Sequence, residues 1–307
     1  MNNKFLTAIA FISFALLIAC GASSPNNGNT IILKFNLKKG QKFDYYLNMD
    51  MNMIESVMGQ TMNIDNKFGI GYIFEAEKDS NEWKTITSTI NRINMDINAG
   101  GKSMKFDTDN PVSDTAGPGG MMSKIFGAMK GGQFTFTMDE KGHVGNVYGM
   151  KEMMERMISN LNVPNAEAIM QGMGKSFDES SFKQNIEQSF AIYPDKPIKP
   201  GDTWVRTMNI ASNGLPVKYE NTYTLNSVTG NTANIKVSSK LSSGADSSAS
   251  GAKDVNGTMT GDMNYDIPTG IPLNGKLNMK MNMKVAAQGQ EIPVNMVMIM
   301  TTTGKKI

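Results

Sequence analysis

A chain of 307 residues with 40% hydrophobic and 19% charged content is long enough for one large domain or two small ones, each with a buried core. A formal charge of +2, which loses Lys4 once residues 1–19 are removed, offers no basic field for nucleic acid. The single cysteine, Cys20, excludes an internal disulfide, so the fold must stand on packing and hydrogen bonds.

The N-terminus gives that cysteine another use. Met1 to Lys4 carries one positive charge, and Phe5 to Ala19 is an almost unbroken apolar run. The run is shorter than the about 20 residues a spanning helix needs, so residues 1–19 read as a signal peptide. Leu17-Ile18-Ala19-Cys20 resembles the lipobox of bacterial lipoproteins. The resemblance implies cleavage before Cys20, lipid attachment at Cys20 and a further acyl chain, such as palmitate, on the new amino group. At about 0.8 kcal/mol per buried methylene, two or three chains hold far more firmly than one. Residues 20–30 are small, polar and uncharged beyond the cysteine, as suits a lipidated flexible tether. The tether has neither an Asp after Cys20 nor an acidic run, and by resemblance this directs the protein to the periplasmic leaflet of the outer membrane.

From Ile31 to the C-terminus, alternation of apolar and polar residues predicts strands with one buried face. Leu33, Phe35 and Leu37 share one side. Lys39-Gly40-Gln41 reads as a turn into a strand carrying Phe43, Tyr45, Leu47, Met49, Met51 and Met53, the pair forming a hairpin. Strands follow at 62–75 and 83–97, then a loop at 107–120 rich in Gly and Pro. A short hairpin, 133–138 and 143–148, turns at Asp139-Glu140-Lys141-Gly142. Helical spacing appears at 151–161, 164–173 and 180–190. Strands resume at 203–210, 217–227 and 231–240, and a Ser/Gly/Ala-rich loop occupies 242–251. The last strands are 257–267, 275–286 and 292–302.

The pattern predicts a single α+β domain over 31–307: mostly antiparallel sheet, either one curved sheet or two packed sheets, with a helical insertion near residues 150–190. Leu37-Lys38-Lys39-Gly40-Gln41-Lys42-Phe43 echoes Ile198-Lys199-Pro200-Gly201-Asp202-Thr203-Trp204, so 31–148 and 191–307 are candidate pseudo-repeated halves.

Of the 27 methionines, nine form trios at alternate positions: Met49/Met51/Met53, Met279/Met281/Met283 and Met296/Met298/Met300. Each trio lies on one strand face. Such faces can simply be core, can repack around varied apolar ligands because thioethers are soft and unbranched, or can hold Cu(I). The only histidine, His143, has no nucleophile beside it in sequence, and Glu152 and Glu155 sit on the polar side of a helix. Asp107 and Asp109 have calcium-loop spacing, but Pro111 stands at the next position. No glycine-rich loop opens a helix in the manner of phosphate sites. Trp204, after a proline-rich approach, is expected to enter the core. No catalytic residue, metal site or cofactor is assigned.

The ordered set of lipobox, Leu33-Lys34-Phe35 with Gly40 and Phe43, Phe134-Thr135-Phe136 with Gly142-His143-Val144, and Pro194-Asp195-Lys196-Pro197 with Gly201-Asp202-Thr203-Trp204 is similar to a family of lipoproteins with a domain of unknown function. The curved-sheet alternative is similar to lipoprotein carriers, which implies an apolar ligand such as a lipid between sheet and helices. The expectation is therefore a non-enzymatic binding protein held on a membrane, partnered by an apolar small molecule or an envelope protein. A structural or assembly role is the alternative.

Overall fold

The computed structural model describes residues 30–57, 60–79, 82–99, 101–111, 117–160, 179–190, 192–212, 215–244, 252–287 and 290–307. The expected signal peptide, Cys20 with most of the expected tether, and the helix expected at 164–173 lie outside the described residues.

In chain order the elements are β1 (Lys42–Val57), β2 (Gln60–Asp79), β3 (Trp83–Ala99), β4 (Lys102–Asp107), α1 (Gly117–Met129), β5 (Gln133–Asp139), β6 (Val144–Tyr148), α2 (Met150–Asn160), α3 (Glu179–Phe190), β7 (Thr203–Ser212), β8 (Leu215–Thr229), β9 (Thr232–Ser243), β10 (Ala252–Asp266), β11 (Pro272–Ala287) and β12 (Gln290–Lys306). All these strands join one antiparallel sheet in the order β6-β5-β3-β2-β1-β12-β11-β10-β9-β8-β7, with β4 beside the far end of β3. The first and last strands pair at its centre, Met49 opposite Met300, so the two arms of the sheet run outward from the β1–β12 ladder.

This corrects the α+β expectation and excludes two packed sheets. The fold is mostly β, one continuous sheet with short helices on one side. Helical periodicity near 150–190 was real in α2 and α3, but helices of 11 and 12 residues are too small to form a layer against strands of up to 20. The stretch read as a loop at 107–120 runs into α1, whose Gly-Pro-Gly-Gly start is poor in helix propensity and is held by packing instead. Phe126 of α1 stacks on Phe106 of β4, ring centroids 5.0 Å apart.

Residues 31–37 also depart from expectation. Their alternation is as read, with Leu33, Phe35 and Leu37 buried and Ile32 exposed, but they do not form a hairpin with β1. They cross the end of the sheet, bonding Ile198, Glu140 and Thr269 in turn: Ile31 N donates to Ile198 O (2.8 Å), Phe35 N to Glu140 O (2.9 Å) and Asn36 N to Thr269 O (2.8 Å).

The sheet curls almost shut. The edge strands β6 and β7 are not hydrogen-bonded to each other, yet α3 touches both, so the gap is about one helix wide, roughly 10–12 Å. Glu187 of α3 accepts the Val144 amide of edge strand β6 at 2.7 Å, so the helix satisfies a backbone group that a sheet edge leaves open. Beside this seam Asp195 bridges Lys141, after β5, at 3.2 Å and Arg206, on β7, at 3.0 Å.

The lower half of the inner face is an aromatic floor. Phe190, at the end of α3, lies against Phe35, Tyr45 and Phe74, and Phe182, two turns earlier, against Phe134 and Phe136. The two echoed turns sit at this end and make the same bonds. Gly40 N donates to Ala76 O and Gly201 N to Leu225 O, both at 2.8 Å; Gln41 N bonds Lys38 O and Asp202 N bonds Lys199 O. Gly40 and Gly201 have φ of 79° and 94°, as the third residue of a type II turn requires.

Candidate functional site

The ladder registers carry the three methionine trios onto adjacent strands, β11, β12 and β1. Met279 faces Met298, which faces Met51; one row further, Met281 faces Met296, which faces Met53. Met300 and Met49 form a third pair, flanked by Leu277 and Phe68. Met259 on β10 extends the first row, opposite Met279. Cross-strand neighbours on one face lie about 5 Å apart, so this is a continuous field of thioethers above the aromatic floor. Met259, Met279 and Met281 are buried, and Met49, Met51, Met53, Met283, Met296, Met298 and Met300 are half-buried.

Glycines make room for these long side chains. On β10, Gly257 and Gly261 alternate with Met259 and Met263 on the inner face, and a Cβ at Gly261 would come within 2.0 Å of the Lys276 carbonyl. A Cβ at Gly275 would meet the Met263 sulfur at 2.1 Å. Substitution there must displace a neighbour or the backbone.

Polar residues enter the field at its sides. The first methionine row continues from Met259 to Ser239 on β9 and Asn221 on β8, and in the other direction from Met51 to Asn66 on β2. Ser239 and Asn221 are 2% and 3% exposed. Sequence inspection missed them because Ser and Asn abound in every strand and their face is known only from the register.

Burial raises the phenols of Tyr45, Tyr72, Tyr193 and Tyr265 around the floor above their ordinary range. Tyr193 donates to the Gly270 carbonyl at 2.8 Å. Trp204 is half-buried, stacked on Tyr223 with its indole N–H on the Ile192 carbonyl, which fits a packing role.

The other residues considered from sequence stand apart from this field. His143 is exposed in the β5–β6 turn, its Nδ1 2.9 Å from Asp139, whose carboxylate also accepts the Lys141 and His143 amides. Glu152 and Glu155 are exposed on α2, with Lys151 3.8 Å from Glu155. Asp107 and Asp109 are engaged by cations of the chain itself: Arg92 holds Asp107 through two nitrogens at 2.7 and 3.2 Å, and Lys130 meets Asp109 at 2.7 Å. The Arg92 hydrogen bonds are the main cause that holds the Asp107 carboxyl down at about 2. Arg92 also lies over the Tyr46 ring, 5.5 Å from its centroid.

Outside, the sheet is polar. Lys276, Asn278, Lys280, Asn282 and Lys284 alternate along β11, and side chains of Asn226, Asn234, Asn264 and Asn274 bond in sequence across four strands at 2.8–3.0 Å. A lipid-facing barrel wall needs the opposite polarity. Among the described residues no helix is long and apolar enough to cross a membrane.

A family model matches residues 81–272, more than half of the chain and most of the curled sheet. The chain belongs to the family of unknown function DUF6263. No curated protein matches it. Among solved structures, one titled for lipid–protein interactions in lipovitellin is 10% identical, with a TM-score of 0.48, and covers 88% of this chain but 25% of its own. This DUF6263 chain thus spans a quarter of the lipovitellin chain. The translocator domain of the autotransporter NalP from Neisseria meningitidis is 8% identical over 87% of this chain and 89% of its own, TM-score 0.22. OccK5 of Pseudomonas aeruginosa is 7% identical over 89% and 99%, TM-score 0.21. All three scores are low, and neither a ligand nor a membrane is carried over from them.

Proposed function

We propose that this protein is a lipid-anchored envelope protein that holds an apolar molecule, such as a lipid chain, against the methionine field of its curled sheet, and that it is not an enzyme. The lipobox-like Leu17–Cys20 supports the anchor, and the tether after it, with neither an Asp next to Cys20 nor an acidic run, supports the outer membrane as its site. One observation carries the binding role: eight thioethers from three trios, Met49, Met51, Met53, Met279, Met281, Met296, Met298 and Met300, meet in register on the inner face. A core needing only stability is filled well by Leu, Ile and Val, whereas unbranched thioethers adapt to different apolar shapes.

The test is native mass spectrometry with lipid extraction on the full chain purified from membranes, with metal analysis of the same sample. A co-purifying apolar molecule is expected. A sample empty of lipid and metal overturns the binding role in favour of a structural or assembly protein. Two rows of three thioethers also favour a second reading, Cu(I) binding, and stoichiometric copper would select it. Cys20→Ala is expected to release the protein from the membrane, and continued membrane association would remove the anchor.

A further inference from the structure

At the β8–β9 end of the first methionine row, two buried oxygens lie side by side without a hydrogen-bond partner, where the β2 end has one, Asn66 Oδ1. Ser239 and Asn221 face each other across β8 and β9, and Ser239 faces Met259. Asn221 donates its amide to the Met208 sulfur at 3.4 Å and also to the neighbouring Tyr223 phenol, while its Oδ1 and the Ser239 Oγ have no hydrogen-bonding partner of good geometry. A buried polar atom without a partner is costly, and native structures keep it where water, an ion, a ligand or a catalytic step uses it. Arg206, next in the row, is already engaged by Asp195 and by the Tyr193 carbonyl.

We propose that Ser239 and Asn221 are the polar end of the ligand site, and that the ligand is an amphiphile whose uncharged hydroxyl or amide N–H group sits between them while its chain lies over Met259, Met279, Met298 and Met51. This rests on the apolar-ligand reading above and names its ligand class. The chemistry selects the head group. Asn221 Oδ1 only accepts, so the ligand must donate; the Ser239 hydroxyl can donate in return. A hydroxyl or secondary amide does both. An ester or a carboxylate cannot donate, and a carboxylate would enter a row whose cation is already paired. From Ser239 on β9 to Met51 on β1 the row crosses four strand intervals, about 19 Å at roughly 4.8 Å each, enough for an extended acyl chain.

The experiment measures equilibrium binding of dodecyl alcohol and dodecyl methyl ether to the full chain, unsubstituted, with Asn221→Leu and with Ser239→Ala. The two ligands share their chain and differ in the ability to donate. The alcohol is expected to bind about tenfold more tightly, as for one buried hydrogen bond donated to Asn221 Oδ1; Asn221→Leu is expected to bring the ratio near one, and Ser239→Ala, which removes the donor to either oxygen, to weaken both ligands. The melting temperature of the empty Ser239→Ala protein is expected to equal or exceed that of the unsubstituted chain, because an unpartnered hydroxyl is removed. Binding of both ligands with equal affinity, a ratio unmoved by Asn221→Leu, or affinities unmoved by Ser239→Ala overturns the head-group assignment and leaves the apolar site standing. Binding of neither overturns both.

Discussion

The aromatic floor and the methionine field lie on the same face of the same strands, yet they are packed in different ways. Along β1 the inner residues run Phe43, Tyr45, Leu47, then Met49, Met51, Met53; the first two are at most 4% exposed and the methionines half-buried. The floor is closed by fixed rings in edge and stacked contacts, and by chain segments 31–37 and 192–202 crossing beneath it. Aromatic pairs of that kind prefer defined geometries and give one packing. A thioether has three rotatable bonds and no branch, so a field of them accepts several. Stability and adaptability are thus separated along the strand axis.

Substitutions can break that separation. Phe190→Ala should cost most, about 3–5 kcal/mol in urea unfolding, because it opens a cavity among Phe35, Tyr45 and Phe74. A cost under about 1 kcal/mol would mean that the floor is as yielding as the field. Gly261→Val, inside the field, should cost about 1–3 kcal/mol, since its Cβ meets the Lys276 carbonyl rather than a mobile sulfur.

Acid gives a control outside both regions. Asp107 is held at about 2 in the fold, chiefly by Arg92, against about 3.9 in an unfolded chain. Its contribution is therefore present in full above about pH 4 and lost as pH falls toward 2. Asp107→Asn should flatten the dependence of stability on pH in that window and leave chain binding unchanged at neutral pH. Replacing Met51, Met279 or Met298 singly by Leu should have the smallest effect on stability, under about 1.5 kcal/mol. It should nevertheless narrow the range of chain lengths bound, which a binding series across alkyl alcohols would detect.

Alternation made the strands other than β4 legible in sequence to within about five residues, because a strand with one wet face repeats every second position; the six residues of β4 were too few to show it. The helices α2 and α3 were legible from spacing, while α1 was hidden by its glycines and proline. What no local pattern carries is pairing. Ile31 to Leu37 alternates like a strand, but its partners, Ile198, Glu140 and Thr269, are distant in sequence, so the expected hairpin with β1 was a local guess at a long-range contact. The candidate site was half legible for the same reason. The trios announced three faces; only the β1–β12 and β11–β12 registers brought them together, and only the β8–β9 register set Asn221 beside Ser239.

The most direct measurement is photo-crosslinking of the full chain with a diazirine-bearing alkyl alcohol, followed by peptide mapping. Labels concentrated on Met49–Met53, Met279–Met283 and Met296–Met300, and competed by unlabelled alcohol, are the expected result. Labels confined to the Asn/Lys outer face, or uncompeted labelling spread over both faces, would contradict a methionine-lined binding site.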